Sequence, residues 1–315
     1  MNTFPLPFIA APTYASTQAW VSALQQAMPD ARVVPFGALS AADKAGCTVA
    51  IVANPDPAAV RELPRLRWVH SVWAGVERLV TDLGDTDVAI VRLVDPQLAA
   101  TMAEAVLAWT LYLHREMPAY ARQQRQHAWR ALAYVRPQRK RVGILGMGAL
   151  ARAAVKPLLA AGFQVAGWSL NRKEIPQVAC YAGEAELPTM LAKTDILVCL
   201  LPLTRQTRGL LDSSKLGCLA PQASLINFAR GPIIDEQALR LALDSGRIAH
   251  AVLDVFALEP LPGDQWQWDH PSVTVLPHCS APTDMQSAAQ IVAQNIARYR
   301  ASGVLPDSVD IERGY

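Results

Sequence analysis

A chain of 315 residues exceeds one ordinary domain and is comfortable for two, and a hydrophobic content of 51% supplies apolar material for two cores. Its 29 Lys+Arg sit against 27 Asp+Glu for a net charge of +2, and the one basic cluster, Arg136 to Arg141, reads as a solvated connector. That balance argues against a nucleic-acid partner, and no apolar run reaches the roughly 18 residues that would span a bilayer.

Cys47, Cys180, Cys199, Cys218 and Cys279 are odd in number and contain no Cys-x-x-Cys pair. This usage fits a reducing compartment and no metal site. Met1 to Ala11 is apolar but carries Pro5 and Pro7 and no basic region, so it does not read as a signal peptide. The expectation is a soluble cytoplasmic protein with no membrane partner.

In chain order, Thr17–Met28 has helical periodicity, and Thr48–Asn54, Arg67–Val72 and Val88–Leu93 are apolar runs of the kind found in buried parallel strands. A single long helix is expected from about Gln97 to Gln126, with Met102, Val106, Trp109, Leu113 and Met117 at spacings of three and four and a kink at Pro118. It would bridge two domains, its Trp109, Leu113 and Met117 stripe serving as core or dimer interface. A second series follows: strands at Arg141–Leu145, Phe163–Trp168, Asp195–Leu201, Ala223–Phe228, Ala249–Val255 and Val273–Leu276, with helices at Ala149–Ala161 and Asp235–Ser245. A last helix, Asp284–Ser302, follows Pro282 and can return to the first domain.

The expected class is therefore α/β: two Rossmann-like or flavodoxin-like domains, doubly wound parallel sheets, with a cofactor cleft between them. Residues 1–98 with 283–315 would form a discontinuous substrate domain and 99–282 the dinucleotide domain.

Val142 to Ala151 is a strand running into a glycine turn and a helix. Gly146 permits the turn, Gly148 admits a pyrophosphate to the backbone, and Ala151 lets the helix pack on the strand. The helix N-terminus then offers free N–H groups to phosphates. An acid usually ends the next strand to hold the adenosine ribose, but here the chain reads Trp168-Ser169-Leu170-Asn171-Arg172-Lys173. Asn171, Arg172 and Lys173 can bind a 2′-phosphate, which points to NADP over NAD; the competing reading is a solvated pair of charges at a turn.

Three later strand ends carry ionisable residues: Asn227-Phe228-Ala229-Arg230-Gly231, Asp254-Val255-Phe256 leading to Glu259, and Pro277-His278. Reducing a keto acid needs its carboxylate held, a proton delivered to its carbonyl oxygen, and an acid that keeps the proton donor charged. Arg230, His278 and Glu259 suit those roles in that order.

Taken together, these motifs resemble the D-isomer-specific 2-hydroxyacid dehydrogenases, and within them the bacterial glyoxylate/hydroxypyruvate reductases of the A type. Met102-Ala103-Glu104, Asp244-Ser245-Gly246-Arg247 and Arg313-Gly314-Tyr315 are similar to that branch as well. The resemblance implies NADPH-dependent reduction of a small 2-keto acid, catalytic Arg230, Glu259 and His278, and a homodimer using the long-helix region. It also implies a substrate loop at Val72-Trp73-Ala74-Gly75-Val76-Glu77, with Trp73, Ala74 and Gly75 beside Arg230 and His278. Trp73 stands where the family has a small residue, and Glu77 where it has Asp; Trp73 either narrows the pocket or packs outward. The expected cofactor contacts are Gly146, Met147, Gly148, Ala149, Leu150, Ser169, Asn171, Arg172, Lys173, Leu201, Pro202, Thr207, Ala229 and Asp254.

Of the other histidines, His250 reads as buried and structural, His270 as a turn residue, and His70, His114 and His127 lack a partner in sequence. Cys279 is a bystander beside His278. The alternatives are a dehydrogenase of another 2-keto acid, or a dinucleotide-sensing scaffold like the corepressors built on this fold.

Overall fold

The computed structural model describes residues 5–315. The described residues divide into two compact units, one running to Gln97 and including Thr283–Tyr315, the other Leu98–Pro282.

The first unit holds β1 (Leu6–Ala10), β2 (Val33–Pro35), β3 (Val49–Ala53), β4 (Trp68–Ser71) and β5 (Ala89–Val91), all parallel in the order β2-β1-β3-β4-β5. This is the flavodoxin-like winding. Every residue of β3 is buried, as a strand covered on both faces must be. One face packs Phe8, Ile51 and Trp68 against Trp20 and Leu24 of helix Thr17–Ala27 and Val292 and Ile296 of helix Met285–Ser302. The other packs Ile9, Val52 and Val69 against Leu79 and Leu83. The last helix thus belongs to the first unit.

β1 and β2 were not anticipated. Pro7 argues against a central strand, yet β1 pairs on both sides. The ladder to β3 begins at Phe8, one residue past the proline, so little is lost with the missing N–H.

The second unit contains β6 (Arg141–Leu145), β7 (Gln164–Ser169), β8 (Val178–Ala182), β9 (Ile196–Cys199), β10 (Ala223–Asn227), β11 (Ile248–Leu253) and β12 (Val273–Val275). The order β12-β11-β10-β9-β6-β7-β8 is parallel throughout. The winding reverses between β6 and β9, so the carboxyl ends of those strands flank the switch point where such sheets bind ligands.

The single long helix is a correction. Helix Pro96–His114 ends, Glu116 takes φ 56, and a separate helix runs Met117–Arg125. Pro118 has no N–H to give the carbonyl of His114, so the first helix stops there; in the first turn of the second the same proline is tolerated without loss. The stripe is split accordingly: Leu113 is buried and Met117 exposed.

Candidate functional site

At the end of β6 the amide of Gly146 donates to the carbonyl of Trp168 (2.8 Å), and Gly146 takes φ 93. A Cβ there would lie 2.9 Å from the Leu200 carbonyl oxygen, so the turn after β6 presses against the segment after β9 and needs glycine. Gly148 differs. A Cβ at Gly148 would meet nothing within 4 Å, so no contact inside the protein calls for glycine. Gly148 is also the N-cap of helix Ala149–Ala160, with no side-chain cap on its first amides. Open space before uncapped helix amides fits a pyrophosphate. Met147 is buried and its sulfur occupies the space a Cβ at Gly167 would fill, so only its backbone faces the loop. Leu201 is core, and the Thr207 hydroxyl donates to the Pro202 carbonyl (2.6 Å), closing the loop after β9. Ala149 and Leu150 open the helix.

Beyond β7, Ser169 donates to the carbonyl of Asn171 (2.7 Å), and Asn171, Arg172 and Lys173 are exposed. Arg172 is engaged. It pairs with Glu186 and donates to the Cys180 carbonyl (3.1 Å). Glu186, from helix Gly183–Leu191, also accepts from the amide of Ala182 (2.8 Å). The sequence reading missed this acid, which lies 14 residues from its partner. Both side chains are well exposed, so the pair contributes at most about 1 kcal/mol and can yield to a phosphate.

The ionisable strand ends are drawn together. Asn227 closes β10, accepting from the amide of Ala229 (3.1 Å) and donating to the carbonyl of Arg230 (3.1 Å). Arg230 donates to the Ala229 carbonyl (2.7 Å). A Cβ on Gly231 would collide with the backbone of Phe256 and Ala257, so glycine lets the segment after β11 lie against this turn. There the Phe256 amide donates to Glu259 Oε1 (2.8 Å), while Glu259 Oε2 meets His278 Nδ1 at 2.7 Å.

Asp254, expected to touch the cofactor, is seen here bonded to the backbone. It is 2% exposed, and its two carboxylate oxygens accept from the amides of Cys279 (2.7 Å) and Ser280 (3.0 Å). Its side chain therefore holds the turn carrying His278, whose backbone sits at φ 52. Two charge-assisted hydrogen bonds hold a non-glycine residue in a conformation it would not choose.

The hydrogen bond it donates to Glu259 raises the pKa of His278 above the usual 6.5, against burial and the Arg230 charge. Burial pushes the Glu259 carboxyl up, but the His278 and Phe256 hydrogen bonds outweigh it and the net shift is down from 4.5. Each partner favours the charged form of the other. With Nδ1 engaged, Nε2 is the nitrogen left to meet a substrate. Cys279 is exposed and, through burial of the thiol and the nearby Asp254, its pKa is raised, which is no setting for a nucleophile.

In the first unit, Val72–Val76 joins β4 to helix Glu77–Leu83. The Trp73 amide donates to Ser71 Oγ (3.0 Å), and the Trp73 carbonyl accepts from Leu93 (3.1 Å). The Trp73 ring is partly buried, edge-on to Trp20 (5.8 Å between centroids) and Tyr14 (6.3 Å). Ala74 and Gly75 follow it, each half-buried.

Four of the remaining histidines are packed or bonded in different ways. Burial lowers His250 to about 4, with Nε2 on Thr274 Oγ1 (2.8 Å). His70, likewise lowered by burial to about 4, lies between the Ser71 carbonyl and Asn295. His114 is packed edge-on to Phe163 and Tyr134, and His270 meets Asp244 at 3.2 Å. Among the described residues no group of His, Cys, Asp and Glu is arranged to hold a metal ion, and no helix is long and apolar enough to cross a membrane.

Residues 107–280, more than half the chain, match the family described as D-isomer specific 2-hydroxyacid dehydrogenase, NAD binding domain. The glyoxylate/hydroxypyruvate reductase A of Salmonella paratyphi B is 34% identical over 302 residues, covering 94% of this chain and 96% of that protein. Two solved structures are similar over nearly the whole length. A D-isomer specific 2-hydroxyacid dehydrogenase from Xanthobacter autotrophicus Py2, in complex with NADPH and MES, has a TM-score of 0.92 at 37% identity, covering 99% of this chain and 100% of that one. An NADPH-dependent glyoxylate/hydroxypyruvate reductase from Sinorhizobium meliloti, with NADP and sulfate, has a TM-score of 0.89 at 34% identity, covering 98% and 100%.

Proposed function

The chain belongs to the D-isomer specific 2-hydroxyacid dehydrogenase family, and from that premise we propose that it reduces glyoxylate or hydroxypyruvate to glycolate or D-glycerate with NADPH as the reductant. The observation that carries the chemistry is the His278–Glu259 contact of 2.7 Å, which favours the charged imidazole and leaves Nε2 clear of that carboxylate.

Bound NADPH supplies the hydride. Gly146, Gly148 and the first amides of helix Ala149–Ala160 hold its pyrophosphate, and Asn171, Arg172 and Lys173 its 2′-phosphate. Arg230 holds the substrate carboxylate, helped by backbone amides of the loop at Trp73, Ala74 and Gly75. His278 Nε2 gives its proton to the carbonyl oxygen as negative charge develops there. Glu259 keeps the imidazolium charged and oriented; Asp254 and Asn227 act as positioning residues by fixing the turns that carry His278 and Arg230.

The working form on this reading is a cytoplasmic homodimer. The segment from His127 to Val135 carries a fully exposed Trp129 and an exposed Tyr134, apolar area that a second copy would cover. NADPH and NADH oxidation over a panel of 2-keto acids tests the whole reading. Glyoxylate and hydroxypyruvate should be the best substrates and NADPH the better reductant; a preference for NADH removes the cofactor claim, and a longer 2-keto acid as best substrate removes the substrate claim.

A further inference from the structure

A cavity of about 500 Å³ lies in the first unit, between the residues after β5, helix Met285–Ser302 and the chain around Pro306. Arg92 lines it, half-buried and without an ion-pair partner among the described residues. Burial pushes its pKa down, so a guanidinium is partly withdrawn from water without an ion pair to compensate it. Arg298 lines the same cavity, with Gln294 offering an amide. Asp307 is the one carboxylate of the lining, and two guanidiniums against it leave the cavity net positive. A volume of this size holds a small metabolite.

The cavity is wired to the loop after β4. Arg298 Nη2 donates to Asn295 Oδ1, and Asn295 Nδ2 donates to His70 Nε2 (2.9 Å). His70 Nδ1 donates to the Ser71 carbonyl (2.8 Å), and Ser71 Oγ accepts from the amide of Trp73. Asn295 is nearly buried and His70 fully, so the bonds of His70 to Asn295 and to Ser71 cannot be replaced by water without opening the core.

We propose that this cavity is a second ligand site, binding a small organic anion through its phosphate or carboxylate on Arg92 and Arg298, and that occupancy is relayed through Asn295 and His70 to the Val72–Val76 loop. An anion that draws Arg298 off Asn295 frees that amide to turn, which loosens His70, Ser71 and the Trp73 amide. The relay half rests on the loop's role in holding substrate; the binding half does not.

Calorimetric titration of the full chain with 3-phosphoglycerate and with citrate separates the two. One equivalent should bind to the unaltered chain and to Arg230→Met, weaken at least tenfold in Arg92→Met, and recover in part in Arg92→Lys, which shows that the loss comes from the charge rather than from misfolding. No heat with either probe up to roughly 10 mM, or binding kept in Arg92→Met and lost in Arg230→Met, overturns the site. The bound anion should raise the KM for the keto acid about fivefold with kcat unchanged, an effect absent in Arg92→Met. Binding without a KM change overturns the relay while leaving the site, and failure of the chain to reduce any keto acid leaves the titration to decide the site alone.

Discussion

Two ends of the second sheet carry charge, and they are built in opposite ways. Around His278, carboxylates are committed to the backbone: both oxygens of the buried Asp254 hold amides, and Glu259, itself partly in solvent, spans the Phe256 amide and His278. Around Arg172 the groups stand in solvent, and one exposed pair with Glu186 is the main restraint. Carboxylates tied to several backbone amides hold a turn in one geometry, whereas an exposed side-chain pair is screened and exchanges partners readily. The difference matches the roles proposed for the two ends, the first in the reaction, where position sets rate, and the second in cofactor choice, where affinity is tuned.

The comparison breaks first at Arg230. Arg230→Met removes the fork that holds the substrate carboxylate, and kcat/KM should fall by about 10³, with NADPH affinity kept; a change below tenfold would place the carboxylate elsewhere. Next comes Glu259→Gln. Reduction needs His278 charged, so kcat/KM should be flat at low pH and fall as pH rises through a His278 pKa above 6.5. Losing the carboxylate removes what raises that value, so the fall should move to lower pH and the rate at pH 7.5 drop roughly 10- to 100-fold. An unmoved profile would mean that Glu259 does not set the charge of His278. Stability follows the same pair: its contribution is whole between the usual Glu and His values of 4.5 and 6.5, and it is lost upward through the raised His278 value and downward through the lowered Glu259 value.

At the exposed end the effects should be smaller. Arg172→Ala with Lys173→Ala should cut the preference for NADPH over NADH by about tenfold, as two screened phosphate contacts allow, with kcat unchanged. Glu186→Gln should tighten NADPH by about threefold at low salt, because Arg172 no longer has to leave a partner. If Glu186→Gln instead weakens NADPH, the carboxylate is orienting Arg172 rather than competing for it.

Much of this was legible from residue order. The turn Gly146-Met147-Gly148 and the strand ends at Arg230, Glu259 and His278 announce themselves because each is local: a strand, a small residue, then the functional group. What escaped the sequence depends on distant partners. Glu186 reaches Arg172 across 14 residues, and Asp254 reaches the amides of Cys279 and Ser280 across 25 and 26. The break at Glu116 was hidden by unbroken apolar spacing on either side; the proline two residues later was the signal, and it marks a start rather than a kink. β1 was masked by Pro7, whose effect depends on where its neighbour's ladder begins.

The most direct test of the central claim is the turnover of His278→Gln with glyoxylate and NADPH, measured beside its NADPH affinity. Turnover should drop by roughly two to four orders of magnitude, the span expected for a lost proton donor, while NADPH binds as tightly as before. Turnover within tenfold of the unaltered chain would show that the proton comes from another group and contradict the assignment of His278.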